Sequence, residues 1–435
     1  MMLLAWAASS SRRTMNGRLI IGALALQLIF GWLVFRSAGG RDVFLRVNDG
    51  VNTVMAAAMA GPRFVLGKLA EGEALHKAGL GPFILLTQGL PTIIVFSSLI
   101  AVLYYLGIMS ALLRGFAWLF SRTLRVSGAE SLCAAANIFV GIESTMAVRP
   151  YLSAMTRSEL CAVLAAGMAT VASNVLALYV GALQEVFPNI AGHMVSASFL
   201  SAPAAILMAK IICPETDSPL TLGLNVPPAY EQEGGVFEAI INGAEAGLKM
   251  MLGIAALLVA IVGLLAICDA ALIAAGGVLN EWTGWRMDWR LTSLLAYPFY
   301  PLAVLMGVPA STAPTAAAGT PDEAWLVARL LAQRLIATEV PSYFDLAEML
   351  RQAGPAISPR TAVIAAYALC GFAHLPSLAI FAGGVAALVP ERKRDLALVG
   401  WRSLAAATLA CLMTGCIAGV FAADTPAVLG VGHSR

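Results

Sequence analysis

Long apolar stretches, broken by short polar ones, make up most of the chain. Ala78–Leu113, Leu160–Gln184, Val186–Ala209 and Ser403–Ala423 contain no charged residue. Met250–Asn280 has one, Asp269, and Thr361–Val389 has none when His374 is neutral. About 20 apolar residues cross a bilayer core. With Leu19–Phe35, these runs therefore predict seven spanning helices. Val51–Gly72, interrupted by Arg63 and Lys68, is a weaker eighth candidate. Arg12, Arg13 and Arg18 precede the first run as in a signal peptide. That run is longer than a signal core and no small-residue cleavage site follows it, so it reads as a span. Amphipathic Leu112–Leu124 and Gly234–Lys249 fit interfacial helices. Pro214–Gly235 is the most polar loop, and Pro309–Thr320, rich in Ala, Thr and Pro, reads as a flexible insert.

Composition agrees with the pattern. Of the 435 residues, 59% are hydrophobic and 12% charged, and mean hydropathy is +0.82. A soluble domain carries about twice that charged fraction, and a disordered chain is polar and charged. A polytopic all-α membrane protein remains. The net charge of +2 excludes a nucleic-acid footprint. Cys133, Cys161, Cys213, Cys268, Cys370, Cys411 and Cys416 form no CxxC pair and read as packed thiols.

Charge also orients the chain. Arg392, Lys393, Arg394 and Arg402 place the loop before the last span in the cytoplasm, whereas Glu185–His193 has no Lys or Arg and faces outward. Arg149 and Arg157 then lie inside and the C-terminus outside. Eight spans would put the N-terminus outside, against the sign of Arg12 and Arg13.

Two segments are too short to span. Ser131–Ile142 is followed by Glu143 and, after five more uncharged residues, by Arg149. It suits a re-entrant helical hairpin turning near Gly141–Ser144. Leu326–Leu350 repeats the design, with its turn at Thr338-Glu339-Val340-Pro341-Ser342. Each precedes a span with a polar interruption: Ala169–Asn174 after the first, Gly371–Ser377 after the second, where Pro376 removes a helix hydrogen bond. Two copies of hairpin, broken helix and final helix, entering from opposite sides, form the inverted-repeat layout of a secondary transporter. The units fall at 1–127 (scaffold), 128–213 (first repeat), 214–290 (linker and scaffold helix), 291–423 (second repeat) and 424–435 (tail).

The intramembrane carboxylates Glu143 and Glu339 are functional candidates; the alternative is a structural ion pair with Arg149 or Arg334. His374 is either a satisfied core histidine or a ligand contact. Asp269 reads as a helix cap or interfacial residue, and Glu130 as a helix N-terminal charge. No HExxH or GxSxG spacing accompanies the carboxylates, which argues against an intramembrane enzyme.

The ordered motifs carry a family resemblance. Leu90-Pro91-Thr92, Tyr104–Met109, Gly128-Ala129-Glu130-Ser131, Asn137-Ile138-Phe139-Val140-Gly141, Arg149-Pro150-Tyr151-Leu152, Ser201-Ala202-Pro203-Ala204, Ser358-Pro359-Arg360 and Tyr367–Ala373 run in sequence. Together they resemble the concentrative nucleoside transporters, best from about Gly89 to Ala423. The resemblance implies a sodium- or proton-driven nucleoside symporter in the inner membrane, working as an elevator and assembled as a homotrimer. It implies no cofactor beyond the coupling ion. It maps sodium ligands onto Asn137, Val140, Thr170 and Val171, whose amide, hydroxyl and carbonyl oxygens suit an alkali cation. It maps substrate contacts onto Gly141, Glu143, Val175, Glu339, Phe372, His374 and Ser377.

The departures concentrate where substrate is read. The family's first tip runs Gly-Gln-Thr-Glu or Gly-Gln-Ser-Glu; here it is Gly141-Ile142-Glu143-Ser144, one residue shorter before Arg149. The family's Asn before the second carboxylate is Thr338, and its Asn on the second broken helix is His374. The alternative reading is a proton-coupled symporter for a different polar metabolite.

Overall fold

The computed structural model describes residues 1–72, 74, 84–229, 233–284, 287–310, 322–352 and 356–431. Among these the chain is helical, with a single isolated bridge between Ser127 and Leu222. Six helices are long and apolar enough to cross a membrane: Gly17–Phe35, Leu85–Tyr105, Arg157–Leu183, Ile190–Ile212, Val236–Thr283 and Pro390–Phe421. Pro359–Leu369 and Leu375–Leu388 follow one another as the two halves of an interrupted apolar stretch.

The weaker candidate at Val51–Gly72 is not one helix. Ser37 caps Ala38–Ala58, and the chain then breaks into Ala60–Leu66 and a short 3-10 turn, Gly67–Ala70. Gly67, at φ +57°, ends the run.

Gly234–Lys249 and Met250–Asn280 are likewise not separate. They form one 48-residue helix, Val236–Thr283, about 72 Å long at 1.5 Å per residue. That is more than twice the hydrocarbon thickness of about 30 Å. Its apolar face is unburied, with Leu252, Val259, Leu264 and Ile267 exposed. Asp269 caps a neighbour: its Oδ1 accepts from the Leu291 N–H at 2.7 Å, at the start of Leu291–Leu305. The flexible insert expected at Pro309–Thr320 lies almost wholly outside the described residues.

Polar ties sort onto two ends. At one, Arg157 pairs with Asp395 at 2.7 Å, and Arg392 donates to the carbonyls of Ser153 and Met155. Lys210 pairs there with Glu130 (2.5 Å) and Glu215 (3.0 Å). At the other, Arg351 pairs with Glu185, and Arg360 donates to the Gly307 and Gly419 carbonyls. The two ends are those assigned inside and outside by charge.

The repeats build the centre. Hairpin 1 starts with Gly128–Ala136, capped by a reciprocal Ser127–Glu130 box. It turns after Asn137 and returns as a 3-10 segment, Ile142–Val148, and one helical turn, Arg149–Leu152. Hairpin 2 is two true helices, Glu323–Ala337 and Glu339–Arg351, joined at Thr338. Broken helix 1 runs Arg157–Ala169, unwinds through Thr170 and resumes at Ser173–Leu183. Broken helix 2 stops at Leu369 and resumes at Leu375. Pro376 sits in the first turn of that second half, where no N–H bond is made anyway. It therefore marks the restart and removes no helix bond.

The two breaks cross at Gly371, which has φ +122°. A methyl group there would lie 2.6 Å from the Ala169 carbonyl oxygen and 2.8 Å from Cys411 Sγ. Only glycine satisfies both the backbone angle and the approach. We expect Gly371→Ala to destabilise the protein by at least about 1–3 kcal/mol through backbone strain alone, read as a lower unfolding temperature in detergent. An unchanged transition would show that the crossing relaxes freely.

Candidate functional site

A cavity of about 140 Å³ opens where the two hairpin tips meet the two breaks. Hairpin 1 contributes Gly141 and Glu143, and the restart of broken helix 1 contributes Val175. Hairpin 2 contributes Thr338 and Glu339; broken helix 2 contributes Phe372, His374 and Ser377. All seven residues singled out for substrate thus share one cavity. The facing wall is apolar, from Met250, Ile254, Leu257 and Leu258 of the long helix.

Glu339 is tied down. It is 2% exposed, its Oε1 accepts from the Tyr179 hydroxyl at 2.5 Å, and its Oε2 lies 3.0 Å from His374 Nε2. His374 is the N-cap of Leu375–Leu388: its Nδ1 accepts from the Ser377 N–H at 3.1 Å. An accepting Nδ1 carries no proton, so in the neutral ring Nε2 is the donor. It faces both Glu339 and the Ser377 hydroxyl, 3.1 Å away. His374 is therefore cap and carboxylate partner at once.

Thr338 holds the turn in a costly conformation. Its φ is +114°, uncommon for any residue with a side chain and an outlier for a β-branched one. Its buried hydroxyl has no partner among the described residues. Glu143 differs from Glu339. It is exposed at the cavity, and among the described residues no cation lies within ion-pair distance of it. Its Oε2 lies beside Gly141, 3.4 Å from where a methyl group on that residue would stand.

The structural ion pairs considered for the carboxylates are not formed. Glu339 has Tyr179 and His374, while the fully buried Arg334 donates to the Ala368 carbonyl at 2.5 Å, at the end of the first half of broken helix 2. That end carries orphan carbonyls and partial negative charge. Glu130 is the helix-start charge expected, and it also pairs with the buried Lys210. Five of the seven thiols are buried, but Cys268 on the long helix is exposed.

The four residues mapped to sodium sit behind the cavity, on hairpin 1 and break 1. Asn137 is fully buried; its Nδ2 donates to the Cys133 carbonyl at 3.0 Å and its Oδ1 accepts from Ser144 Oγ at 2.9 Å. Thr170 donates its hydroxyl to the Ala166 carbonyl at 2.9 Å, which leaves the oxygen lone pairs. The Ser173 N–H donates to the Phe139 carbonyl at 2.9 Å and pins the two unwound stretches together. Among the described residues no hydrogen bond reaches the carbonyls of Val140 or Val171. Uncharged oxygens with spare lone pairs fit a hard monovalent cation.

Sequence reasoning missed Tyr179 and Tyr343. They stack at 4.6 Å between ring centroids, and the Tyr343 hydroxyl donates to the Ala366 carbonyl at 2.9 Å. The available signal was that a tyrosine within a charge-free run needs a polar partner. Tyr343 also lies one helical turn after Glu339.

Two re-entrant hairpins meeting two interrupted helices around a largely apolar cavity that gathers the carboxylates of both tips define a secondary transporter. Family profiles described as Na+ dependent nucleoside transporter N-terminus, Nucleoside recognition, and Na+ dependent nucleoside transporter C-terminus match residues 1–69, 86–186 and 193–419. An uncharacterized transporter of Haemophilus influenzae is 36% identical over 95% of this chain and 93% of its own. The nucleoside permease NupC of Helicobacter pylori is 34% identical over 96% of this chain and 95% of its own. The structure titled CNTnw in an inward-facing substrate-bound state superposes with a TM-score of 0.84 and 33% identity, over 97% of this chain and 95% of that one. The chain spans just over half the length of vertebrate relatives named solute carrier family 28 member 3, at 59% of the Eptatretus stoutii protein. The chain belongs to the Na+ dependent nucleoside transporter family, a family of membrane transporters and not of enzymes.

Tyr179→Phe leaves one Glu339 oxygen buried without its donor. We expect a loss of about 1–3 kcal/mol in stability. We also expect non-additivity of about 0.5–3 kcal/mol with Glu339→Gln in a double-mutant cycle of detergent melting curves. Strict additivity would show that the bond contributes nothing.

Proposed function

We propose that the chain is a sodium-coupled symporter that imports nucleosides, and that the cavity between the hairpin tips is its substrate site. The observation that carries this reading is the convergence of both tips and both breaks on one cavity. Glu339, held by Tyr179 and His374, presents acceptor lone pairs to ribose hydroxyls, a charge-assisted match. Phe372, Val175 and the long-helix wall supply an apolar slot for a flat base.

Sodium is the proposed coupling ion, held by Asn137, Val140, Thr170 and Val171. The Phe139–Ser173 bond supports coupling, because an ion that orders this junction also orders the Gly141–Ser144 tip beside it. An ion shifts an equilibrium only through differential affinity for its two states. His374 has both ring nitrogens engaged by Ser377 and Glu339, which favours sodium over a proton carried on this ring.

In this reading units 128–213 and 291–423 carry substrate across as an elevator, against a scaffold that includes the long helix. The unburied apolar face of that helix supports assembly into a homotrimer.

The test is uptake into proteoliposomes with sodium or choline outside, over a pH series. Wild type should require sodium at every pH. Asn137→Ala and Thr170→Ala should each raise the half-saturating sodium concentration at least about tenfold, the effect of losing roughly 1.4 kcal/mol of ion binding. Uptake in choline driven by acid outside, or unchanged sodium activation in both variants, would reject the assignment.

A further inference from the structure

We infer that Glu143, facing the Glu339–His374–Ser377 network across the cavity, selects nucleosides whose base edge presents two adjacent N–H donors, which is the edge of guanine. This inference rests on the nucleoside reading above and sharpens it.

The polar side chains lining the cavity are few. His374 links Glu339 on hairpin 2 to Ser377 on break 2. Thr338 adjoins them at the hairpin 2 tip. Glu143 stands alone on the opposite hairpin, and no Lys, Arg, Asn or Gln lines the cavity among the described residues. A ribose placed on Glu339 leaves the base to extend along the apolar wall of Met250, Ile254, Leu257 and Leu258 toward hairpin 1.

An ionised carboxylate only accepts hydrogen bonds. This one lines the cavity beside Gly141, and among the described residues no side chain is hydrogen-bonded to it. In the family pattern the same tip carries a Gln and a Thr or Ser, each able to donate. Here the tip is Gly141-Ile142-Glu143-Ser144, one residue shorter before Arg149. Ser144, the hydroxyl nearest in sequence, is buried and donates to Asn137. The hairpin 1 end of the cavity therefore offers a side-chain acceptor and no side-chain donor.

The bases differ in what they present to such a group. Uracil has one N–H between two carbonyl oxygens, both repelled by a carboxylate. Cytosine and adenine place an amino group beside a bare ring nitrogen, and hypoxanthine places one N–H beside a carbonyl. Guanine sets its N1–H next to its N2 amino group, two parallel donors for two carboxylate oxygens, the bidentate geometry that makes charge-assisted pairs strong and selective. A site built for such bonds also rejects a base that leaves the carboxylate unpaired.

The test uses the full chain in proteoliposomes under a sodium gradient, with labelled guanosine uptake competed by unlabelled guanosine, inosine, adenosine, cytidine and uridine. Guanosine should compete at least about tenfold better than inosine, which lacks only the N2 amino group, and better still than uridine. In Glu143→Gln, whose amide both donates and accepts, the guanosine-to-uridine gap should shrink at least about tenfold. Equal competition by uridine and guanosine in wild type overturns the inference but leaves the nucleoside reading standing. So does a Glu143→Gln ranking identical to wild type. If none of the five nucleosides is taken up or competes, the nucleoside reading falls and this inference with it. The wild-type series decides the question even where the variant does not fold.

Discussion

The architecture depends on one close approach, that of Gly371 to the Ala169 carbonyl. Each broken helix leaves orphan backbone groups inside the membrane, where water cannot satisfy them. Crossing the two breaks at van der Waals distance lets the protein treat both at one place. Cys411 contacts the Ala169 carbonyl from the last helix, and Arg334 donates to the Ala368 carbonyl from hairpin 2. The restart of broken helix 2 is capped by His374. A buried guanidinium is costly without a counter-charge. Here the partial negative charge at the C-terminal end of Pro359–Leu369 stands in for a carboxylate. That leaves Glu339 unclaimed by Arg334 and turned toward the cavity.

From this crossing the two halves of the site follow. Break 1 runs back to hairpin 1 through the Phe139–Ser173 bond, which makes the proposed ion ligands and the Gly141–Ser144 tip one mechanical unit. Six residues past the break-1 end of that bond, Tyr179 donates to Glu339 on the other hairpin. The path from the ion ligands to the substrate carboxylate is thus a few residues of a single helix plus one hydrogen bond. Tyr343 stacks on Tyr179 and anchors to break 2 through Ala366, so the carboxylate is referenced to both broken helices.

Most of this layout was legible in the sequence because hydrocarbon enforces it. Charge-free runs mark crossings, and a carboxylate in a run too short to cross marks a re-entrant tip. Glu143, Glu339 and both interruptions were found that way. What was not legible depends on contact or on backbone angle. Val51–Gly72 has the composition of a span, but Gly67 and the helix that starts after Ser37 divide it. The junction near Lys249 looked like a boundary because charge changes there, yet the glycines beside it, Gly243 and Gly247, serve close packing against Leu85–Tyr105, and the helix continues unbroken. Pro376 was read as a helix breaker because its position relative to the cap could not be seen without His374 in place. Tyr179 sits in an apolar run, and only the fold shows which polar atom it meets.

The two carboxylates now have different physical roles. Glu339 is enclosed by a phenol and an imidazole, so its orientation is fixed before any ligand arrives, the condition under which a charged acceptor is most effective. Glu143 sits beside Gly141 at the tip and lines the cavity, with no side-chain partner among the described residues. Changing Glu339 disturbs Tyr179, His374 and through His374 the start of a membrane helix. Among the described residues Glu143 ties no other side chain into the network. A transporter that keeps its machinery while altering its cargo can do so most readily at positions of the second kind, and the shortened turn before Arg149 brings the departure from the family pattern to that carboxylate. The other two departures lie at hairpin 2 and break 2: His374 caps a helix and meets Glu339, and Thr338, its hydroxyl unbonded among the described residues, makes the turn in a conformation that a β-branched residue adopts only where its surroundings impose it.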